Sequence, residues 1–345
     1  MENVESNSIK KAPPSGAGEA ANLEIFSSIL QNLAENDREI FVVTSDSRGS
    51  GKLVPFGQKY PEQIVEVGIA EQNLVGIAAG LASMGKKTFA VSPACFLTAR
   101  SLEQIKNDVC YSDNPVKLVG ISAGVSYGAL GTTHHSLHDY AVLRAINNIT
   151  IVAPADNYET EEAIKAAASF NKPIYLRFGK KVMPASIYDL RFTNGESKNN
   201  RKSEIVNRKF QFGKGRTVRH GSDLTFIATG ETVLPAFEAA EKLSIENCID
   251  ATVVSMHTIK PLDTELIAHL AENGSPIITV EEHSIYGGLG EAVGSFLMQN
   301  GFHNRFKIIG LPDDHTVSGS QNEIFEHYGI SEKGLAKLAL TILKN

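Results

Sequence analysis

Residues 63–81 read QIVEVGIAEQNLVGIAAGL and contain the type of junction that decides the fold. The apolar run Gln63–Val67 has the length of a buried strand, and after Gly68 the apolar residues take helical spacing, with Leu74 and Leu81 on one face. Strands that alternate with helices in this way indicate βαβ units and a mostly parallel sheet covered on both faces.

The same alternation runs through the chain in two series. The first series of strands is Ile40–Thr44, Gln63–Val67, Thr88–Ser92, Val116–Ser122, Ile149–Val152 and Ile174–Arg177. The second series is Leu224–Ala228, Ala251–Ser255, Pro276–Glu281 and Phe306–Gly310. With 345 residues, the chain is long enough for two cores. We therefore predict an α/β chain with two domains, each a mostly parallel sheet flanked by helices.

The domain boundaries follow from changes in composition. Residues 1–21 are rich in Ser, Gly, Pro and charge and are expected to be flexible, and the first domain covers 22–185. Residues 186–217 lose the pattern and gain Asn, Lys, Arg and Gly, as a linker does. The second domain covers 218–345 and ends in a helix after Ser331. The basic residues between 201 and 219 are interrupted by acids and glycines, which favours a solvated linker over an RNA-binding patch.

Charge and cysteine content argue against several classes of protein. The formal net charge of -6 gives no general attraction for nucleic acid or anionic lipid, so neither partner is expected. No segment reaches the roughly 18 uninterrupted apolar residues of a membrane helix. Cys95, Cys110 and Cys248 have no metal-binding or redox spacing, and the N-terminus has no apolar run after its charges, which predicts a reduced, cytoplasmic protein.

Glu71 places one carboxylate where a strand gives way to an apolar helix. An acid at a helix start can be an ordinary first-turn charge that the helix dipole favours. A carboxyl group among Gly, Ile and Ala is also poorly solvated, which raises its pKa and suits acid/base chemistry. Both interpretations stand on these residues alone.

Two glycine-rich stretches follow strands. Residues 128–139 read GALGTTHHSLHD and follow the strand Val116–Ser122, at the edge where open α/β sheets bind ligands. The three histidines could suggest a metal site, but no Cys joins them and we expect no metal ligand in this chain. Residues 287–294 read GGLGEAVG, which only loosely imitates a dinucleotide fingerprint and is better explained as a strand-to-helix turn.

These motifs resemble the thiamine-diphosphate enzymes of the transketolase superfamily, in particular transketolase and, in the wording GIAEQ, deoxyxylulose-phosphate synthase. The resemblance runs from about residue 22 to 345. It implies a pyrimidine-binding domain followed by a transketolase C-terminal domain. The activity implied is transfer of a two-carbon ketol unit from a phosphorylated or otherwise anionic ketose to an aldose, in a complex that uses thiamine diphosphate.

The resemblance also assigns roles to individual residues. Glu71 would bond the pyrimidine ring and activate the cofactor, Phe96 would stack on that ring, and Asp46 matches an acidic position near the cofactor. His134 would contact the sugar oxygens and move protons. A core Phe at a strand end is the alternative for Phe96.

Three further residues match substrate-binding positions, and two positions depart from the family pattern. Ser50 and Arg177 fall where transketolases bind the sugar phosphate, and Arg100 falls where deoxyxylulose-phosphate synthase has an active-site arginine. Leu130 and Ser122 replace an aspartate and a histidine of ordinary transketolase. Donor specificity is therefore expected to differ, as in relatives that use apulose 4-phosphate or a sulfonated fructose.

The sequence contains no Gly-Asp-Gly, the motif with which this superfamily binds the cofactor diphosphate and a divalent metal. The resemblance therefore implies a partner chain that supplies the diphosphate-binding domain and most ligands of Mg²⁺. The expected assembly is a heterotetramer of two chains of each kind, with this chain forming a dimer at its core.

Two other functions stay open on the sequence. A β subunit of a 2-oxo acid dehydrogenase has the same two domains and also needs a partner, although the loop around His134 looks more like transketolase. A catalytically silent structural subunit would keep the fold, but the joint presence of Glu71, Phe96 and His134 argues against it. Deoxyxylulose-phosphate synthase itself is disfavoured because its chain carries all three domains.

Overall fold

The computed structural model describes residues 19–190 and 210–344. Residues 1–18 of the predicted N-terminal segment and residues 191–209 of the predicted linker lie outside the described residues. Where these two segments are described, they contain regular structure. Ala20–Ala21 forms a short strand, β1, and the predicted linker contains a helix at Ile187–Leu190 and the start of a strand at Arg216.

The first sheet is built almost entirely from the amino-terminal part of the chain. Its strands are β2 (Ile40–Thr44), β3 (Ile64–Glu66), β4 (Lys87–Pro93), β5 (Lys117–Ile121), β6 (Thr150–Val152), β7 (Ile174–Arg177) and β12 (Thr258–Lys260). Their order is β12-β6-β7-β5-β4-β2-β3, and every pair is parallel except β12 with β6. The central strands are buried on both faces, which explains their continuous apolar runs.

Helices cover this sheet on both faces. In chain order they are α1 (Asn22–Asn36), α2 (Val54–Lys59), α3 (Glu71–Ser83), α4 (Ala94–Arg100), α5 (Leu102–Gln104), the π-helical Ile105–Tyr111, α6 (Asp139–Arg144) and α7 (Asn157–Ala168), whereas α8 (Ile187–Leu190) joins a core cluster of the second domain. Phe26 of α1, Phe56 of α2 and Ile164 of α7 belong to one core cluster. Leu74 of α3 and Leu97 of α4 belong to the other. The amphipathic faces of these helices thus seal the sheet from water.

The second sheet has the same plan. Its strands are β9 (Arg216–Arg219), β10 (Leu224–Ala228), β11 (Ala251–Ser255), β13 (Ile277–Ser284) and β14 (Phe306–Leu311), in the order β14-β13-β10-β11-β9 with only β9 antiparallel. Its helices are α9 (Val233–Asn247), α10 (Thr264–Ala271), α11 (Leu289–Gln299), α12 (Gln321–His327) and α13 (Glu332–Lys344). α9, α12 and α13 share one core cluster, and α10 and α11 share another.

The predicted architecture is confirmed. Each predicted strand is present with its ends shifted by no more than a few residues, and the closing helix begins at Glu332. The strands that the sequence did not indicate are β1, its antiparallel partner β8 (Val182–Met183), β9 and β12. All four are short and depend on pairing with distant parts of the chain. No helix in residues 19–190 and 210–344 combines the length and apolarity that crossing a membrane requires.

The two domains are joined by a shared sheet and by buried charges. Strand β12, which follows β11 of the second domain, extends the first sheet beside β6. The Glu282 carboxylate, on β13, accepts a hydrogen bond from the Val125 amide at 2.8 Å. Gly124 has φ +62°, and a Cβ there would collide with that carboxyl group. On the other side, Arg216 pairs with Glu159 at 2.9 Å. The interface is therefore polar but paired, as burial of charge requires.

Glu282 faces a second buried acid. Gln321 donates from Nε2 to Glu282 at 2.9 Å and to Glu231 at 2.8 Å, and the Lys181 amide also bonds Glu231. Burial, and next the charge of Glu231, raises the pKa of Glu282 to about 8, although Arg177 opposes the shift. Burial likewise raises the pKa of Glu231. At neutral pH the pair therefore holds a proton.

This proton should make stability depend on pH. The pKa of Glu282 is higher in the folded chain than its ordinary value of 4.5, so its contribution is complete below that value and is lost as pH rises through about 8. We expect the free energy of unfolding to fall between about pH 5 and pH 8, by at most about 1.4 kcal/mol per pH unit for each proton, and to level off above that range. Denaturant titrations across this range measure the slope.

Glu282→Gln, which copies the protonated carboxyl, should flatten that slope. Glu265→Gln is the matched control, because the Glu265 side chain is 84% exposed and titrates at lower pH. An unchanged slope in Glu282→Gln would show that the proton lies elsewhere.

Candidate active site

The residues singled out in the first domain lie at the carboxyl edge of its sheet. Glu71 begins α3, which follows β3, and Phe96 and Arg100 lie on α4, directly after β4. His134 lies in the loop after β5, and Arg177 ends β7. Because β3, β2, β4, β5 and β7 are consecutive parallel neighbours, their carboxyl ends form one edge. Open α/β sheets bind ligands at this edge.

Glu71 is a buried carboxylate that forms an ion pair with Arg100. The side chain is 4% exposed, and Nη1 of Arg100 lies 3.0 Å from each of its two oxygens. The expected poor solvation of this carboxyl is therefore confirmed. The sequence predicts a substrate contact for Arg100, whereas the structure pairs it with Glu71.

Phe96 forms one wall beside this ion pair. The Arg100 guanidinium carbon lies 4.1 Å from the centroid of the Phe96 ring, because the two residues are one helical turn apart on the same face of α4. The ring is half-buried and not sealed within the core. On another side it meets His134, with ring centroids 5.4 Å apart in an edge-to-face arrangement. Arg100 and Phe96 together therefore connect Glu71 to the histidine loop.

His134 is held by its own loop. The Thr133 hydroxyl lies 2.9 Å from Nδ1, so Nε2 is the ring nitrogen left for a ligand. The other two histidines have separate partners, since Nε2 of His135 bonds the Gly128 carbonyl and Nε2 of His138 lies 3.4 Å from the Thr98 hydroxyl. Among the residues that the structure describes, no group of three His, Cys, Asp or Glu side chains is arranged to hold a metal ion.

Tyr127 lies next to His134 in the structure and Lys180 lies next to Tyr127, and the sequence analysis did not single out either residue. The Tyr127 ring lies 5.3 Å from that of His134, and Nζ of Lys180 lies 4.3 Å from the Tyr127 centroid. Burial, and then the nearby Lys52, lowers the pKa of Lys180. The sequence does hold one signal for Lys180: it lies three residues beyond Arg177, at the same sheet edge. Tyr127 has no comparable signal.

Asp46 and Ser50 lie in the turn after β2. Asp46 is exposed with φ +50°, and its backbone amide bonds Glu66 at 2.7 Å. The Ser50 hydroxyl bonds the Ser47 carbonyl at 3.3 Å. Lys52 belongs to the same turn, so this turn borders Lys180.

Leu130 and Ser122 lie in the connection between β5 and α6. The Leu130 side chain is 56% exposed at the end of a short 3-10 turn. Ser122 is buried directly after β5 and has φ +51°. Burial raises the pKa of Tyr127, and the nearby Ser122 side chain partly offsets that effect. The exposed Leu130 side chain therefore buries no unpaired polar group.

The Arg177 side chain is buried and bonded within the fold. Its side chain is 5% exposed, Nε donates to Asp139 at 2.7 Å, and Nη2 donates to the carbonyls of Ser136 and Glu282. Burial works against the charge of Asp139, but Arg177 and His283 outweigh it and hold the pKa of Asp139 below its ordinary value. This arginine is therefore occupied within the fold, and its phosphate contact stays a prediction of the sequence.

Two family models match the chain. Residues 19–185 match the transketolase pyrimidine-binding domain, and residues 213–335 match the transketolase C-terminal domain. The chain belongs to the transketolase family. The family uses thiamine diphosphate, and a buried carboxylate beside an aromatic ring is a suitable receptor for the aminopyrimidine of that cofactor.

Several relatives and a solved structure align with this chain over almost their whole length. A subunit of the apulose-4-phosphate transketolase of Phocaeicola vulgatus is 46% identical, with 92% of this chain and 96% of the relative covered. A putative transketolase C-terminal section of Methanocaldococcus jannaschii is 36% identical over 92% and 95% of the two chains. Among solved structures, an inactive β4 tetramer of a split-gene transketolase aligns with TM-score 0.79 and 31% identity, covering 94% of this chain and 99% of that one.

Replacing Arg177 should chiefly affect folding. Arg177→Met would leave Asp139 buried without its main cation, which typically costs about 3–5 kcal/mol. Lys180→Met, at an exposed position, should change the free energy of unfolding by less than about 0.5 kcal/mol. Urea titrations of the two variants measure the difference. Equal stabilities would restore Arg177 as a candidate phosphate ligand.

Proposed function

We propose that this chain is one component of a two-chain transketolase that transfers a two-carbon ketol unit from an anionic ketose to an aldose. The observation that carries the proposal is the contact series from Glu71 through Arg100 and Phe96 to His134 at one sheet edge. This arrangement combines a carboxylate, an aromatic wall and a proton-transfer group within a few ångströms. Family membership supports the reaction class.

The cofactor would be held by Glu71 and Phe96. Thiamine diphosphate, when bound, supplies the carbon nucleophile and the electron sink of the reaction. Glu71 would exchange a proton with a pyrimidine nitrogen in a site that excludes water, and Phe96 would stack on the ring. Asp46, in the turn after β2, is proposed to lie near the same cofactor.

His134 and its neighbours would contact the sugar. Nε2 of His134 would hydrogen-bond sugar oxygens and move protons as the carbon–carbon bond breaks and forms. Lys180 takes the phosphate-binding role expected of Arg177, because it is exposed and lies beside the Tyr127 ring that borders His134. Ser50 and Lys52, in the neighbouring turn, would add a hydroxyl and a second charge.

The diphosphate half of the site is assigned to a partner chain. The sequence has no Gly-Asp-Gly, and the Phocaeicola vulgatus relative is named as one subunit of its transketolase. We propose a cytoplasmic heterotetramer of two chains of each kind, with two copies of this chain at its core. Mg²⁺ would be bound mainly by the partner, since it prefers hard oxygens next to the phosphates.

The donor sugar is proposed to be non-standard. The relative that is 46% identical is named for apulose 4-phosphate, and Leu130 stands where ordinary transketolase has a polar donor-recognising residue. Apulose 4-phosphate and a sulfonated fructose are the first candidates. Two other functions would replace the proposal if the experiments support them. One is the activity of a 2-oxo acid dehydrogenase subunit, and the other is a silent structural role.

Glu71→Gln is the direct test. The chain is co-expressed with a candidate diphosphate-domain partner, and ketol transfer is assayed over a panel of ketose phosphates with thiamine diphosphate and Mg²⁺. We expect transfer to need both chains and to fall by at least about a hundredfold in Glu71→Gln, as loss of an acid/base group does. Glu103→Gln, at an exposed position of α5, is the control.

Unchanged turnover in Glu71→Gln would establish the silent structural role. Decarboxylation of 2-oxo acids without ketol transfer would place the chain with the dehydrogenases.

Lys180→Met tests the phosphate contact. We expect about a tenfold lower kcat/KM for a ketose phosphate, mostly through KM, since a charged hydrogen bond that is partly exposed contributes about 1.4 kcal/mol. The unphosphorylated ketose should be used equally well by both enzymes. An equal loss on both sugars would assign Lys180 a structural role.

A further inference from the structure

The side chain of Arg100 lies in the gap between the Glu71 carboxylate and the Phe96 ring. It contacts both carboxylate oxygens at 3.0 Å, and its guanidinium carbon lies 4.1 Å from the ring centroid. These are the two groups that a bound aminopyrimidine would use. One planar group already satisfies both.

A guanidinium and a protonated aminopyrimidine share the chemical features that fit between Glu71 and Phe96. Both are flat, both carry N–H donors in the plane, and both gain from an aromatic face on one side and a carboxylate on the other. The carboxylate of Glu71 is buried, so it needs such a partner whenever the cofactor is absent. Arg100 meets that need in the free chain.

From this geometry we propose that Arg100 occupies the pyrimidine position of the free chain and is displaced when the cofactor binds. The proposal rests on the function given above, which places the pyrimidine on Glu71 and Phe96. A pyrimidine that stacks on Phe96 and bonds Glu71 needs the space that the guanidinium fills, so the two cannot be bound there together. Cofactor binding is therefore an exchange of one partner of Glu71 for another.

The position of Arg100 makes this exchange feasible. Arg100 is the last residue of α4, and its side chain is 47% exposed, whereas Glu71 is 4% exposed. The arginine can thus turn into solvent while the carboxylate stays fixed. Because a half-exposed ion pair is weak, displacing it should reduce cofactor affinity by only about three- to tenfold.

The test asks whether removing the Arg100 guanidinium strengthens or weakens cofactor binding. In the complex with the partner chain, we expect Arg100→Gln to bind thiamine diphosphate about three- to tenfold more tightly than the wild type, measured by titration calorimetry with Mg²⁺. Lys106→Gln removes an exposed charge on the π-helical turn that follows and should leave affinity unchanged. An arginine that contacts the bound cofactor would instead give weaker binding in Arg100→Gln.

A second measurement uses the wild-type complex and does not depend on the variant folding. Arginine-directed dicarbonyl labelling, read by mass spectrometry, should modify Arg100 faster after thiamine diphosphate is added. Slower or unchanged labelling would overturn the displacement.

The two proposals fail in different ways. If the wild-type complex does not bind thiamine diphosphate, or if Glu71→Gln turns over at the wild-type rate, the proposed function fails. If Glu71→Gln weakens binding but Arg100→Gln leaves it equal or weaker, only the exchange at Arg100 is overturned.

Discussion

The guanidinium of Arg177 joins three parts of the molecule that are far apart in sequence. It bonds Asp139 at the start of α6, the Ser136 carbonyl in the loop that carries His134, and the Glu282 carbonyl in the second domain. The position of the histidine loop, and the docking of one domain on the other, both depend on this buried cation. The arrangement is stable because each charge has a partner, and losing one partner would leave another charge buried alone.

Apolar runs predicted the main strands because strands of a parallel sheet covered on both faces are buried on both sides, and their sequences are therefore continuously apolar. Strand β12 could not be predicted, since three residues form a strand only where β6 offers them an edge. Glu71, Phe96 and His134 were found through short motifs that resemble a family. Arg177 shows the limit of that method. The sequence around an arginine at a strand end does not tell whether the side chain faces solvent or a buried acid. Two of its partners in the structure, Asp139 and Glu282, lie 38 and 105 residues away in sequence.

The site divides its work between fixed and movable groups. Glu71 begins a helix that packs on the sheet, and His134 is steadied by Thr133 and by two aromatic rings. Arg100 and Lys180, by contrast, are exposed side chains that lie across aromatic faces. The groups that we propose to handle protons are held in place, whereas the cations that surround them can adjust to a ligand.

The shared strand β12 also bears on how the chain can be divided. Without the second domain, β6 would lose its antiparallel neighbour and become a bare edge of the first sheet. Such an edge, with buried Thr150, Ile151 and Val152 along it, offers unpaired backbone groups to any other strand. The pyrimidine-binding domain expressed alone would therefore tend to aggregate. The chain is best kept whole, with both domains in one polypeptide.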